Sequence, residues 1–177
     1  MQKKWIFGIL AIAVIVGGIY FGSPYLAARN LKQAAVSGNA DTLEAAVDFP
    51  AVRESLKSQL NAQLMAKMQN DPEMKNNPFA GIGMMMIPAI IDKALDAYVT
   101  PHGIAALARG EKKPGAAVKG NENVEYDYAY VGLDRFRVKV RNKDRNDKPL
   151  GLLFERRGFA GWKLIRVEFP EDVFAGS

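Results

Sequence analysis

Residues Trp5–Gly22 run for 18 positions without a charged side chain, directly behind Lys3 and Lys4. At about 1.5 Å per residue a helix of this length spans roughly 27 Å, close to the ~30 Å hydrocarbon core of a bilayer. A cleaved signal peptide usually carries a shorter apolar run, about 7–15 residues, ending in a small-x-small site. Candidate cleavage sites are poor here. Cleavage after Gly22 puts Tyr20 at the third position back, and cleavage after Ala28 puts Leu26 there. Trp5 and Tyr20 stand near the two ends, where amphipathic aromatics favour the interface. An uncleaved anchor over residues 1–22 is therefore expected, contacting inner-membrane lipid through residues 5–22. Residues 23–177 are expected to form one extracytoplasmic domain. Lys3, Lys4 and the terminal amine favour a cytoplasmic N-terminus, although Arg29 and Lys32 beyond the span oppose it. The expected address is a bacterial inner membrane, crossed once, with the domain in the periplasm.

Composition narrows the chemistry. The chain has no cysteine and a single histidine, His102. Disulfides, cysteine zinc sites, thiol catalysis and paired-histidine metal motifs are excluded. No metal or other cofactor is expected. Lys+Arg is 24 and Asp+Glu is 19. Without Lys3 and Lys4 the domain keeps 22 basic residues against 19 acidic ones, so its basicity is no signal for nucleic acid. His102 falls in a first helical turn with no placed carboxylate or nucleophile beside it, so no catalytic residue is assigned.

The first half reads as helices. Ser23-Pro24 has the form of an N-cap followed by a first-turn proline. The helix it opens stops at Ser37-Gly38-Asn39. Asp41 and Glu44 resemble a capping box with Asp41 as cap, and Asp48-Phe49-Pro50 restarts the chain. Val52, Leu56, Leu60, Leu64 and Met68 recur every four residues, an amphipathic helix of about 18 residues. Asn70 to Pro78 is a linker. Phe79 to Ile91 is apolar and holds Met84, Met85 and Met86, but Gly81, Gly83 and Pro88 make it too short and broken for a second span. Thr100-Pro101 opens another helix, and Glu111 to Asn123 is a polar connector.

The second half alternates with period two, as antiparallel strands with one buried face do. Tyr126, Tyr128 and Tyr130 share a face in the first strand. Phe136, Val138 and Val140 do so in the second, Leu150, Leu152 and Phe154 in the third, and Ile165, Val167 and Phe169 in the fourth. A loop at Gly132-Leu133-Asp134 sets Tyr130 opposite Phe136 and Tyr126 opposite Val140. Aligning Val140 with Leu150 sets Phe136 opposite Phe154. A four-residue loop Gly158–Gly161 then sets Leu152 opposite Val167 and Phe154 opposite Ile165. In this register Glu125 meets Arg141, Asp127 meets Lys139 and Glu155 meets Arg135. The stripe Arg135, Arg137, Lys139, Arg141 is thus a salt-laced outer face. The fold class expected is α+β: a transmembrane helix, then several helices packed on a four-stranded antiparallel sheet.

The run Ser23-Pro24-Tyr25-Leu26-Ala27, then Val47-Asp48-Phe49-Pro50 with Arg53, Ser55 and Leu56, resembles a bacterial family known as domain of unknown function 2939. Val99-Thr100-Pro101-His102-Gly103 is similar to a second block of that family. With the strands, the resemblance extends over most of residues 23–175. It implies a bacterial envelope protein with an N-terminal membrane segment and supplies no catalytic residues. More loosely, helices followed by a curved sheet look like the nuclear transport factor 2-like (cystatin-like) cone fold, which hosts both enzymes and binding modules. The function expected is a non-catalytic, membrane-tethered module that binds an envelope protein or a small apolar ligand. A pocket for such a ligand would be lined by Tyr126, Tyr128, Tyr130, Phe136 and Phe154, with Met85 on a lid. A cone-fold enzyme of isomerase or dehydratase type and an assembly scaffold are the alternatives.

Overall fold

The computed structural model describes residues 2–70, 80–109, 124–143 and 148–170. The expected linker from Asn70 to Pro78, its first residue apart, and the whole connector from Glu111 to Asn123 lie outside these. Among the described residues the helices are α1 (Gln2–Ser37), α2 (Ala40–Ala46), α3 (Phe49–Asn70), α4 (Ala80–Tyr98) and α5 (Pro101–Arg109). They precede β1 (Val124–Gly132), β2 (Arg135–Asn142), β3 (Leu150–Arg157) and β4 (Gly161–Glu168), an antiparallel meander in chain order. The fold is α+β, as the two periodicities require.

The largest departure from expectation is at Ser23-Pro24. No helix starts there. α1 continues through it for 36 residues with Pro24 inside, a length of roughly 54 Å. It ends where expected. Gly38 takes a φ of 72°, and the Asn39 N–H donates to the Ala34 carbonyl at 3.0 Å. That bond closes the helix in the left-handed manner glycine allows. Asn39, not Asp41, then caps α2, its Oδ1 accepting from the Thr42 N–H at 3.0 Å. Asp41 falls one position inside the helix, where a negative charge still suits the N-terminal end. Asp48 caps α3 through the Ala51 N–H at 3.2 Å, and Thr100 caps α5 through the Gly103 N–H at 3.0 Å.

The strand register follows the apolar alternation. Tyr126 faces Val140, Tyr128 faces Val138, Tyr130 faces Phe136, and Phe136 faces Phe154. Two bulges correct the details. Gly132 pairs with Arg135 while Tyr130 keeps Phe136, so the first turn is tighter than expected and Val131 is the extra residue. In β4, Phe154 pairs with Leu164 and Leu153 with Arg166, which makes Ile165 the extra residue and restores Leu152 opposite Val167. Trp162 and Leu164, rather than Ile165, are therefore buried against the helices.

The helices cover one sheet face. Leu31 and Ala34 of α1, Leu43 and Val47 around α2, Phe49, Val52 and Leu56 of α3, and Leu95 and Val99 from α4 share one core with Phe136, Val138, Phe154, Trp162 and Leu164. Val47 bridges Leu164 in parallel, and the Asp48 N–H donates to the Leu164 carbonyl at 2.9 Å, which ties the α2–α3 joint to the edge strand. The opposite sheet face is charged. Glu125 pairs with Arg141 at 3.6 Å and Arg135 with Glu155 at 3.8 Å, while Asp127 stands opposite Lys139. Arg137 reaches Glu168 at 3.1 Å, across the intervening Gly151. A Cβ at Gly151 would press on the Glu168 side chain.

Candidate functional site

The aromatic row on β1 and β2 forms as the register requires. Ring centroids lie 6.3 Å apart for Tyr126–Tyr128, 6.2 Å for Tyr128–Phe136 and 5.1 Å for Tyr130–Phe136. Unbroken α1 carries its own side chains onto part of this row, while Tyr128 and Tyr130 stay partly exposed. Tyr25 packs 4.8 Å from Phe136 and 5.4 Å from Tyr128. Lys32 Nζ sits 4.5 Å from the Tyr126 ring centroid. Phe136 and Phe154 are fully buried members of the core. Met85 does not join them: it stands on α4, which packs on α3 and α5, and is 83% exposed. Of the six residues expected around one pocket, the three tyrosines, Phe136 and Phe154 lie side by side, and Met85 stands at a separate surface position.

The densest polar arrangement lies where α1 meets the two turns at one end of the sheet. Pro24 has no N–H, so the Tyr20 carbonyl four residues earlier lacks its helical donor. Ser23 Oγ donates to it at 3.0 Å, and both terminal nitrogens of Arg156 approach it at 3.4 Å. Arg156 Nη1 also donates to the Phe159 carbonyl at 2.8 Å, and Nη2 lies 3.4 Å from the Leu133 carbonyl. One guanidinium therefore touches the helix, the β1–β2 turn and the β3–β4 turn. Its side chain is 4% exposed, with the Asp134 carboxylate 3.4 Å from Nε. It lies over two rings, 3.7 Å from the Tyr20 centroid and 4.3 Å from that of Trp162.

Two further bonds close this junction. Trp162 Nε1 donates to Ser23 Oγ at 2.8 Å, a buried contact. Tyr130 Oη donates to the Phe21 carbonyl at 2.8 Å. Burial pushes the Tyr130 phenol above its usual pKa, with the Arg156 charge pulling partly against it, so the hydroxyl stays a donor at neutral pH. These donors are spent on backbone carbonyls and a hydroxyl. The arrangement fixes a helix to a sheet.

Arg156 is not among the residues expected to form a site. The signal was available, since the alternation that places Leu152 and Phe154 inward places Arg156 inward too. A second joint connects the two blocks that carry the family resemblance. Arg53 Nε and Nη2 donate to the Val99 carbonyl at 3.1 and 2.9 Å, capping the end of α4. Lys57 holds Asp92 at 2.8 Å one turn further on. His102 is exposed in the first turn of α5. Among the described residues no group of three or more His, Cys, Asp or Glu is placed to hold a metal ion.

The apolar half of α1 packs on almost nothing. Ile6, Phe7, Ile9, Leu10, Ile12, Val14, Ile15, Ile19 and Phe21 are all exposed, around the whole circumference. By length and composition this is a helix able to cross a membrane. Fold and junction together define a helix-led α+β domain whose first helix projects as a bare apolar rod. The chain belongs to the DUF2939 family, described as a protein of unknown function, whose model matches residues 13–107. The match takes in the end of the apolar run and the helical half. It stops before β1, short of the extent the sequence resemblance suggests. No curated protein and no solved structure matches the chain.

Proposed function

We propose that this protein is a single-pass bacterial inner-membrane protein whose periplasmic domain is held at a fixed attitude to the bilayer and docks a protein partner, without catalysis. The observation that carries this reading is the rigid continuity of α1. Its exposed apolar half suits lipid, and its other half lays Leu31 and Ala34 into the core. Cleavage after Gly22 would remove Tyr20 and Phe21, whose carbonyls hold Arg156 and Tyr130. That argues for retention of the segment.

Tyr25 and Lys32, laid against the aromatic row, narrow the room for an apolar ligand, which favours the protein. A surface for it lies at the other pole. Asp48 and Gln59 of the α3 region bond successive parts of β4, Leu164 and then Val167 and Phe169. α3 therefore runs away from the α1–Arg156 junction. Arg53 and Lys57 pair with Asp96 and Asp92, so α4 runs antiparallel to α3. Met65 on α3 and Met85, Met86 and Ile90 on α4 are exposed apolar side chains, and the antiparallel pairing sets them towards the end remote from the apolar rod. Methionine packs irregular partners well.

Fractionation of cells expressing the full chain tests the anchor. It should resist alkaline extraction and keep its first 22 residues by intact mass. A mature chain starting after Gly22 and recovered in the soluble fraction overturns the reading. Photocrosslinkers at Met85 and Ile90 should give a discrete protein adduct that one at Lys139 does not. Equal labelling at all three positions, or none, removes the docking surface.

A further inference from the structure

The turns at the Arg156 end of the sheet are unusual in composition. Turn tips are normally polar, yet Leu133 in the β1–β2 turn is 74% exposed and Phe159 in the β3–β4 turn is 56% exposed. Val131, at the bulge, is exposed beside them. Neither turn is free to wander, because Arg156 donates to the carbonyls of Leu133, Phe159 and Tyr20 together. The Phe159 ring also packs 5.6 Å from Tyr20. Two apolar tips are thereby clamped beside the last turns of the apolar half of α1.

Their depth follows from register. Along α1 the contacts with β1 run Lys32–Tyr126, Tyr25–Tyr128 and Phe21–Tyr130. β1 thus descends antiparallel to α1, and its continuation past Tyr130 points towards residues before Phe21. At about 3.3 Å per strand residue, Leu133 lies at most about 10 Å further, nearly two helical turns, and its carbonyl shares the Arg156 guanidinium with that of Tyr20. The other turn gives direct evidence of the same depth. Ala160 shares a surface groove of about 510 Å³ with Ile15, Gly18, Ile19, Gly22 and Leu26 of α1. Both turns therefore lie level with the end of the stretch assigned to lipid. The acid at the first tip, Asp134, is 3.4 Å from Arg156, and the residues Gly158-Phe159-Ala160-Gly161 carry no charge.

We propose that the β1–β2 and β3–β4 turns sit within the interfacial layer of the same bilayer that α1 crosses, with Leu133 and Phe159 as apolar contacts to lipid. This rests on the anchored reading above. The domain is then seated on the outer leaflet at three points, the helix and the two tips, and does not hang from a stalk. A protein partner at this pole is the competing occupant, and continuity with the bare apolar helix favours lipid.

The chain has no cysteine, so single-site labelling is clean. The full chain carrying Leu133→Cys, Phe159→Cys or Ala160→Cys is labelled with an environment-sensitive fluorophore and reconstituted in phosphatidylcholine–phosphatidylglycerol vesicles. Ile12→Cys reports the anchor, and Lys143→Cys, at the opposite end of β2, reports the aqueous side. The expected result is a blue shift and strong loss of emission in bromine-labelled lipid at positions 12, 133, 159 and 160, and neither at 143. Quenching at 12 with positions 133, 159 and 160 behaving like 143 overturns this inference and leaves the anchor standing. No quenching at 12 overturns the anchored reading and this inference with it. Using two separate turns keeps the test intact should one variant fold poorly.

Discussion

Replacing Arg156 with alanine should loosen the domain more than any other single charged-residue change. The Nη1 bond to Phe159, at 2.8 Å, is a well-formed charged hydrogen bond, worth about 1.5–3 kcal/mol. The contacts at 3.4 Å to Tyr20 and Leu133 add little on their own. Stacking between the Tyr20 and Trp162 rings in a dry setting contributes about 1–2 kcal/mol. Asp134 is 69% exposed and returns to water, so its loss of partner is nearly free. The sum is about 3–5 kcal/mol, in the range for breaking a buried charge network. For a chain of this size that lowers Tm by about 10 °C. Arg156→Lys should cost nearly as much, since one ammonium cannot serve carbonyls on three segments and has no plane to stack. Thermal unfolding of the full chain in detergent, followed by tryptophan fluorescence, reads both. Either variant melting within about 2 °C of the parent would refute the claim that this side chain clamps helix to sheet.

Ser23→Ala should cost about 1–3 kcal/mol by stranding the buried Trp162 Nε1, and Trp162→Phe should cost less in that background than in the parent. A double-mutant cycle by urea unfolding that finds strict additivity contradicts it. Gly103→Ala drives a Cβ into the Tyr98 carbonyl and against Thr100 Oγ1, so a loss of about 1–3 kcal/mol is expected, seen as a lower Tm. The pKa of Lys57 is raised above 10.5, first by its hydrogen bond to Asp92 and then by the charge of Asp92, and that of Tyr130 is raised above 10.0 by burial. Both groups hold protons more tightly when folded, so their contribution is complete below those ordinary values and is lost as pH rises through the folded ones. Tm should be level from about pH 7 to 9 and fall above about 10, and Tyr130→Phe with Lys57→Met should flatten that fall. A parent Tm that rises above pH 10 reverses the sign of the argument.

The strand register was legible because a single slip turns every apolar side chain outward. Tyr126, Tyr128 and Tyr130 could only meet Val140, Val138 and Phe136. The bulges at Val131 and Ile165 were not legible, since one extra residue leaves the alternation on either side intact. Ser23-Pro24 has the same local form at a helix start and within a helix whose freed carbonyl finds other donors. Those donors include Arg156, more than 130 residues away, which local reading does not bring near. Continuity of α1 also brings Tyr25 and Lys32 beside the tyrosine row, neighbours that the alternation of the strands alone does not reveal.

An unbroken α1 also makes the protein a lever. A bilayer-spanning helix commonly leans by about 20°, and over the roughly 22 Å from Ser23 to Ser37 such a lean carries the upper end sideways by about 8 Å. With the sheet clamped to the same shaft, the methionine-bearing pole must swing with it. Under the anchored reading, the contacts that set the lean of the helix, the two seated turns among them, thereby also set where the distal surface stands.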